Sequence, residues 1–455
     1  MPPDSTFVAA TPILTPAHTR PPRDVVDALL IAAIVAGLVG LFYLAIATPL
    51  LESLTTEVQR GDWLSLLQRP TFLWLTMGLV LLSIRTLLWL SYRPVPLVQH
   101  SAAPFVTVII PAYNEGAMVE RTIDSVAFAD YPRDRQEIIA VDDGSHDDTW
   151  NYIESAAGRH RALLTTIRFE RNRGKRAALA EGFRRARGSI VVTVDSDSIL
   201  EREALRALVA PFANPQIGAV AGLVAVLNRR ACLLARMLHV RFVLSFDFLR
   251  SAQSTYGTVY CCPGALSAYR IDAVRAVLTR WESQTFLGVQ CTFGEDRALT
   301  NMLLEQGYDS VYQCNAVVHT MVPVTYRQTC RMLLRWTRSY VREEIHFLTR
   351  VVWRRSRMKR AFALAESFVS NARYPVGYAA IALWLFRTYH DPVTALRMLF
   401  AVGAAATFYT LYYLRSERSW DFVFGILYAY FSLFCLTWIF PYALITVRAR
   451  AWLTR

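Results

Sequence analysis

IVVTVDSDS, Ile190 to Ser198, runs five mostly β-branched residues into the acidic triplet Asp195-Ser196-Asp197. Such a run, bounded by a turn, predicts a buried strand of a largely parallel sheet. On a strand edge the alternate carboxylates of D-x-D point to one side. There they can hold a hard divalent ion that also takes diphosphate oxygens. Asp195 and Asp197 are the candidate pair for this. Two solvated acids at a strand end are the plain alternative.

Similar strands surround this one. VTVII leads into PAYNEG, Pro111 to Gly116, and EIIAV leads into VDDGSHDD, Val141 to Asp148. Acids and free N–H groups at the C-terminal ends of such strands can receive a base and ribose. Asp143 is the candidate for that contact; an Asx turn capping the next helix is the alternative. NRGKRAALAEGFRRARG, Asn172 to Gly188, reads as a glycine turn feeding a helix, with Lys175 and Arg176 at its start. Helix N-termini favour anions, so two cations there suit a diphosphate. The Walker pattern is absent.

Downstream, GEDRALT (Gly294 to Thr300) sets Glu295 and Asp296 at the start of a helix. A carboxylate within reach of an acceptor hydroxyl can remove its proton. Asp296 is the expected base and Glu295 the lesser candidate; simple acid placement at a helix N-terminus is the alternative. In YCCPGALSAYR (Tyr260 to Arg270), Cys262, Pro263 and Gly264 form a short turn suited to the wall of an acceptor site. No histidine is suitably placed to make these cysteines nucleophiles. LLRWTRSYVREE, Leu333 to Glu344, offers Trp336 as a face for a sugar ring and Arg335 as a phosphate partner. An interfacial helix with snorkelling arginines explains the same residues.

The flanks are of another kind. Of the 455 residues, 54% are hydrophobic and 19% charged, which argues against a wholly soluble globule. Ala28 to Leu50 is a run of 23 residues without a charge, long enough for a bilayer core. It starts too late and runs too long for a secretory signal. A second apolar run covers Pro70 to Tyr92, with Arg85 expected to snorkel to the headgroups. Three more follow: about Ala361 to Phe386, Val393 to Leu414 and Trp420 to Val447. The expected organisation is an N-terminal segment 1–27, two spans within 28–92, and an α/β domain over 104–325. An amphipathic interface and acceptor segment 326–360, about three spans within 361–447 and a basic tail 448–455 complete it. Arg327, Arg331, Arg335, Arg338 and Arg342 adjoin the membrane, which places the domain in the cytoplasm. Three C-terminal spans then leave the tail outside, against the same rule, unless one segment is re-entrant. Forty-nine Lys and Arg against 36 Asp and Glu give +13, which suits nucleic acid, anionic lipid or a phosphate-bearing substrate. The seven cysteines show no paired spacing and read as reduced thiols.

VDDGS, NRGKR, DSDS, GEDR and the Arg335-Trp336 pair, in this order, resemble the membrane-embedded inverting family 2 glycosyltransferases over about Val106 to Glu344. The particular likeness is to hyaluronan synthases, with chitin-oligosaccharide and chitin synthases as relatives. The resemblance implies an α/β GT-A-type nucleotide-sugar transferase domain inserted between N-terminal and C-terminal transmembrane helices. It implies UDP-sugar donors, a growing polysaccharide acceptor, Mg2+ or Mn2+, and membrane lipids around an integral plasma membrane protein. Nucleic acid and an obligatory protein partner are not expected. Asp143 then contacts the nucleotide, Asp197 the metal, Asp296 acts as base, and Trp336 stacks on the acceptor at the mouth of a transmembrane channel. The expected product is hyaluronan from UDP-GlcNAc and UDP-glucuronate. A chitin-type polymer, a single-sugar transferase, and a transporter or receptor with an inactive nucleotide domain are the alternatives. One departure stands out. The family's Q-x-x-R-W element carries Met332 in place of glutamine, with Gln328 one helical turn earlier as a possible substitute.

Overall fold

The computed structural model describes residues 21, 23–47 and 70–449. The first residues, the polar connection between the two N-terminal apolar runs, and the tail arginines Arg450 and Arg455 lie outside the described residues. At the centre is an eight-stranded sheet of order β3-β2-β1-β4-β7-β6-β10-β5. Its strands are β1 (Val106–Ala112), β2 (Gln136–Asp142), β3 (Leu164–Arg168), β4 (Ile190–Val194), β5 (Ser198–Leu200), β6 (Ile217–Val226), β7 (Leu266–Arg270) and β10 (Asp309–Thr320). A separate hairpin joins β8 (Thr285–Phe286) to β9 (Val289–Gln290).

The apolar runs explain the layout. β1, β2 and β4 are buried along their whole length, as strands with helices on both faces must be. β1 lies between β2 and β4, parallel to both, so the loops after these strands emerge on one edge. β7 runs antiparallel between β4 and β6 and turns the sheet into a mixed one.

The acidic triplet is not strand. β4 ends at Val194, a turn carries Asp195 to Asp197, and β5 begins at Ser198. Ser198 N–H closes that turn on the Asp195 carbonyl at 3.1 Å. The period-two argument for the two carboxylates is therefore replaced by turn geometry. β5 then pairs antiparallel with β10 at the far sheet edge, so the chain must leave the sheet plane between Val194 and Ser198.

Helices flank the sheet at both ends of the chain. Val25–Tyr43 and Val393–Glu417 are long and apolar enough to cross a membrane. Phe422–Leu436 and Ile439–Ile445, bent by 44°, make a third crossing if the pair is one span. Both parts of this pair touch the sheet domain. Arg236, on the domain helix Leu233–Val243, lies 5.1 Å over the Phe424 ring, and Ile439 and Ala443 are buried in the same hydrophobic core as the sheet. The first span is tied to the fourth apolar helix by Asp27–Arg415 at 2.8 Å and Asp24–Arg418 at 2.6 Å.

Arg85 does not snorkel. It donates to Glu366 Oε1 at 2.9 Å and to Ser370 at 3.2 Å, joining Pro70–Ser91 to the 34-residue helix Arg357–His390. Glu366 also accepts from Gln253 at 3.1 Å and from the Tyr256 hydroxyl. A buried carboxylate with these donors is a better partner than distant headgroups. Removing one partner of such a pair costs about 3–5 kcal/mol. Glu366→Ala should therefore lower the thermal midpoint of the detergent-solubilised protein by several degrees, and the Arg85→Met/Glu366→Leu double variant should recover most of that loss.

Candidate active site

The loops after β1, β2 and β4 meet over the N-termini of two helices, Lys175–Arg185 and Glu295–Glu305. The resulting cleft is lined by Pro111, Lys175, Asp195, Gly264, Glu295 and Asp296, with Tyr269 and Trp281 at its base. Four of the expected site residues thus come together: Lys175, Asp195, Gly264 and Asp296.

The edge beyond β1 and β2 is built from turns that hold one another. Asn114, at φ 53°, donates its N–H to Ser145 Oγ at 3.0 Å, and its side chain accepts from His146 N–H at 2.9 Å. Thr149 Oγ1 accepts the N–H groups of Glu115 and Gly116 at 2.8 and 2.9 Å. The PAYNEG turn is thereby fastened to the VDDGS turn. Asp143 is buried, and its two oxygens accept from Arg173 N–H at 2.7 Å and Gly174 N–H at 2.8 Å. Burial pushes its carboxyl up to about 6, against the two N–H donors that stabilise its charge. Asp143 is thus a brace for the Asn172–Gly174 turn, a role the sequence reading did not contain.

Lys175 is the hub. Its ammonium is paired with Asp195 Oδ1 and lies 3.5 Å from Glu295 Oε1. Burial works against its charge, but Asp195, Glu295 and Asp296 outweigh burial and raise its pKa. Gly264 makes this pairing possible. A Cβ there would stand 2.7 Å from Lys175 Nζ and 3.2 Å from Asp195 Oδ1.

Arg176, its neighbour, turns the other way. It is buried over the Trp281 ring at 5.1 Å and donates to the Trp281 carbonyl and to Gln284 at 3.1 Å. Successive helix residues point about 100° apart, so only one of the two cations can face the cleft. Cys262 and Pro263 are also buried, beneath Gly264 and not at the cleft surface. Cys262 N–H donates to Thr300 Oγ1 at 3.0 Å, and burial holds its thiol up at about 12. An inert thiol agrees with the absence of a nucleophilic cysteine pattern.

Glu295 and Asp296 sit at the start of their helix because Gly294, at φ +76°, allows a left-handed entry. Any Cβ there would collide with Ser339. Burial raises both carboxyls, but Lys175, Arg176 and Arg335 bring Glu295 below its ordinary value. Asp296 goes up, through burial and the charge of Glu295. One acid is held ionised and the other is kept proton-avid. Arg335 thus acts on this corner through Glu295. Trp336, one residue on, is 37% exposed and packs 5.9 Å from the Phe242 ring with Arg241 above it at 5.8 Å.

Met332 is buried with Cys330, Leu333 and Leu334 in the main core, where an amide would need polar partners. Gln328 does not replace it. Its side chain accepts from Thr325 at 2.9 Å at the helix start, on the surface. Trp281, whose indole donates to the Glu295 carbonyl at 2.8 Å, carried no sequence signal.

Asp197 lies on the same turn as Asp195 and accepts from the Ser198 and Thr320 hydroxyls at 3.3 Å each. No cluster of three or more metal-ligating acids, histidines or cysteines occurs among the described residues. Carboxylate oxygens from Asp195 and Asp197 nevertheless fit a hard divalent ion of the kind that completes its shell with water and substrate phosphate.

Residues 103–339 match the family described as "Glycosyltransferase like family 2". An N-acetylglucosaminyltransferase of Azorhizobium caulinodans is 30% identical over 77% of this chain and 87% of its own. A hyaluronan synthase of Streptococcus pyogenes is 30% identical over 77% of this chain and 83% of its own. Among solved structures, a mannosyltransferase of Pyrobaculum calidifontis in complex with GDP-Man and Mn2+ superposes with a TM-score of 0.57 at 24% identity. That likeness covers 80% of this chain and 98% of that one, and it supports a GT-A-like fold. Matched over half its length, with relatives that cover most of it, the chain belongs to glycosyltransferase family 2.

Proposed function

We propose that this protein is a membrane-embedded inverting glycosyltransferase that elongates a polysaccharide from UDP-sugars on the cytoplasmic side of the plasma membrane and exports it. The observation that carries this is the convergence of Lys175, Asp195, Glu295 and Asp296 in one cleft at the strand ends. In this reading Asp296 accepts the proton of the acceptor hydroxyl while that oxygen attacks the anomeric carbon from the face opposite the nucleotide. The sugar–phosphate bond breaks, its electron pair stays on the phosphate oxygen, and the configuration inverts. Lys175 lies where it can neutralise the leaving diphosphate. A divalent ion held by Asp195 and Asp197 would add Lewis-acid stabilisation of that same charge. Trp336 offers a face to the acceptor ring. Contact of both parts of the bent helix pair with the domain supports a re-entrant pair.

The leading product is hyaluronan from UDP-GlcNAc and UDP-glucuronate. A chitin-type chain from UDP-GlcNAc alone is the second reading, favoured by likeness to N-acetylglucosaminyltransferases. A donor matrix with product digestion separates them. Hyaluronidase-sensitive polymer formed only with both donors supports the first reading, polymer or oligomer from UDP-GlcNAc alone supports the second, and a single added sugar defeats processivity. Asp296→Asn should cut turnover about 10²–10⁴-fold with UDP binding preserved. Because Asp296 is raised by burial and by Glu295, the acid limb of the wild-type kcat/KM profile should lie above the ordinary aspartate value. Activity should fall as pH drops through it. Gly264→Ala should push Lys175 off Asp195 and raise KM for the donor more than it lowers thermal stability, as measured by UDP release and by a melt.

A further inference from the structure

The two oxygens of the Asp296 carboxylate are held by different parts of the chain. Oδ1 accepts the Arg297 N–H at 2.7 Å, and Oδ2 accepts from the Cys261 thiol at 3.6 Å. Cys261 precedes the buried turn that ends in Gly264, and its own carbonyl is fixed by Arg250 Nε at 3.1 Å. The next residue closes the arrangement. Cys262 N–H donates to Thr300 Oγ1 at 3.0 Å, while that hydroxyl donates to the Asp296 carbonyl at 2.8 Å. The loop is therefore fastened to the first turn of the Glu295–Glu305 helix through the Asp296 backbone as well as through its side chain.

We propose that Cys261 is a positioning residue for Asp296, its thiol fixing the carboxylate rotamer so that the remaining lone pairs face the acceptor hydroxyl. This rests on the reading of Asp296 as the base. The chemistry of the donor suits that task. A thiol is a weak donor, so it orients the carboxylate with little loss of basicity. A hydroxyl in its place would bind the charged form more strongly and make it a weaker base. Burial, the largest influence, and the nearby charge of Asp296 keep the Cys261 thiol protonated, against the opposing charges of Arg297 and Arg250. Glu295, Lys175 and Asp195 act on Asp296 from the other side. During transfer the acceptor proton goes to Asp296, and Cys261 keeps its own.

The test uses the full-length protein in detergent or nanodiscs, with UDP release from UDP-GlcNAc and Mn2+ followed across pH for wild type, Cys261→Ala, Cys261→Ser and Asp296→Asn. Small misplacements of a reacting group are costly, so Cys261→Ala should lower kcat about tenfold. Its KM for UDP-GlcNAc should stay within about twofold, the signature of an interaction with the reacting groups alone. The acid limb should move to higher pH, because a donor to the charged carboxylate is gone. Cys261→Ser should regain much of kcat while moving that limb to lower pH. A purely packing role would shift the melt and leave the limb in place. Wild-type kcat and limb in Cys261→Ala, or a change in KM alone, would overturn the proposal. Should Cys261→Ala fail to fold, an unmoved limb in Cys261→Ser overturns it equally. Activity in Asp296→Asn would reject the base itself, whereas an inactive Asp296→Asn beside a silent Cys261→Ala rejects only the positioning role.

Discussion

The ammonium of Lys175, set between Asp195 and Glu295, is the interaction on which the cleft depends. It ties together three segments far apart in sequence: the helix that follows the Asn172–Gly174 turn, the turn between β4 and β5, and the start of the Glu295–Glu305 helix. Without a cation there, Asp195, Glu295 and Asp296 would repel one another in a partly dry space. A lysine at a helix N-terminus opposes the helix dipole, so its placement is sustained by those carboxylates and not by the helix it begins. The same cation separates the two neighbouring acids. Glu295 is drawn below its ordinary value and Asp296 is left raised, so adjacent residues of one type acquire different chemistry from their surroundings.

Much of this was legible in the chain. Uninterrupted β-branched runs such as VTVII and IVVTV announced fully buried parallel strands, because a strand covered on both faces shows no alternation. Acids and glycines immediately after them marked the functional edge. What the sequence could not carry was direction. Lys175 and Arg176 are equivalent as letters, and only the helix phase sends one into the cleft and the other onto Trp281. Asp195 and Asp197 suggested strand alternation, yet β5 pairs with β10 at the sheet edge and forces a turn between them. Arg85 read as a snorkelling residue because its partner, Glu366, is 281 positions away. Cys262 and Pro263 lie in the right segment but at the wrong depth, since only Gly264 leaves room for the ion pair.

The helix Tyr326–His346 joins the cleft to the long helix Arg357–His390, and its two faces explain its composition. On one face Ser339 closes against Gly294, Arg342 donates to the Phe293 carbonyl at 2.5 Å, and Glu343 accepts from Asn301 Nδ2 at 3.2 Å and Gln284 Nε2 at 2.8 Å. These contacts fix the turn that presents Glu295 and Asp296. On the other face Tyr340 donates to Asn371 at 2.7 Å, and Glu344 accepts from Asn371 at 3.0 Å and from Ser367. Asn371 and Ser367 belong to the long helix that also holds Glu366 for Arg85. The arginines and acids of RWTRSYVREE are therefore largely internal fasteners rather than a solvated basic face.

That arrangement changes the meaning of the +13 balance. A surplus of arginine is usually read as a surface field that attracts an anionic partner. Here Arg176, Arg338, Arg342 and Arg355 are buried, and each donates to a carbonyl, hydroxyl or carboxylate inside the protein. Guanidinium groups suit such positions because their fork reaches several acceptors at once and keeps its charge when buried. A domain that must hold its acids at fixed depth needs fasteners between loops that no strand connects. These four guanidinium groups therefore serve as internal fasteners, and their charge does not describe what the surface attracts.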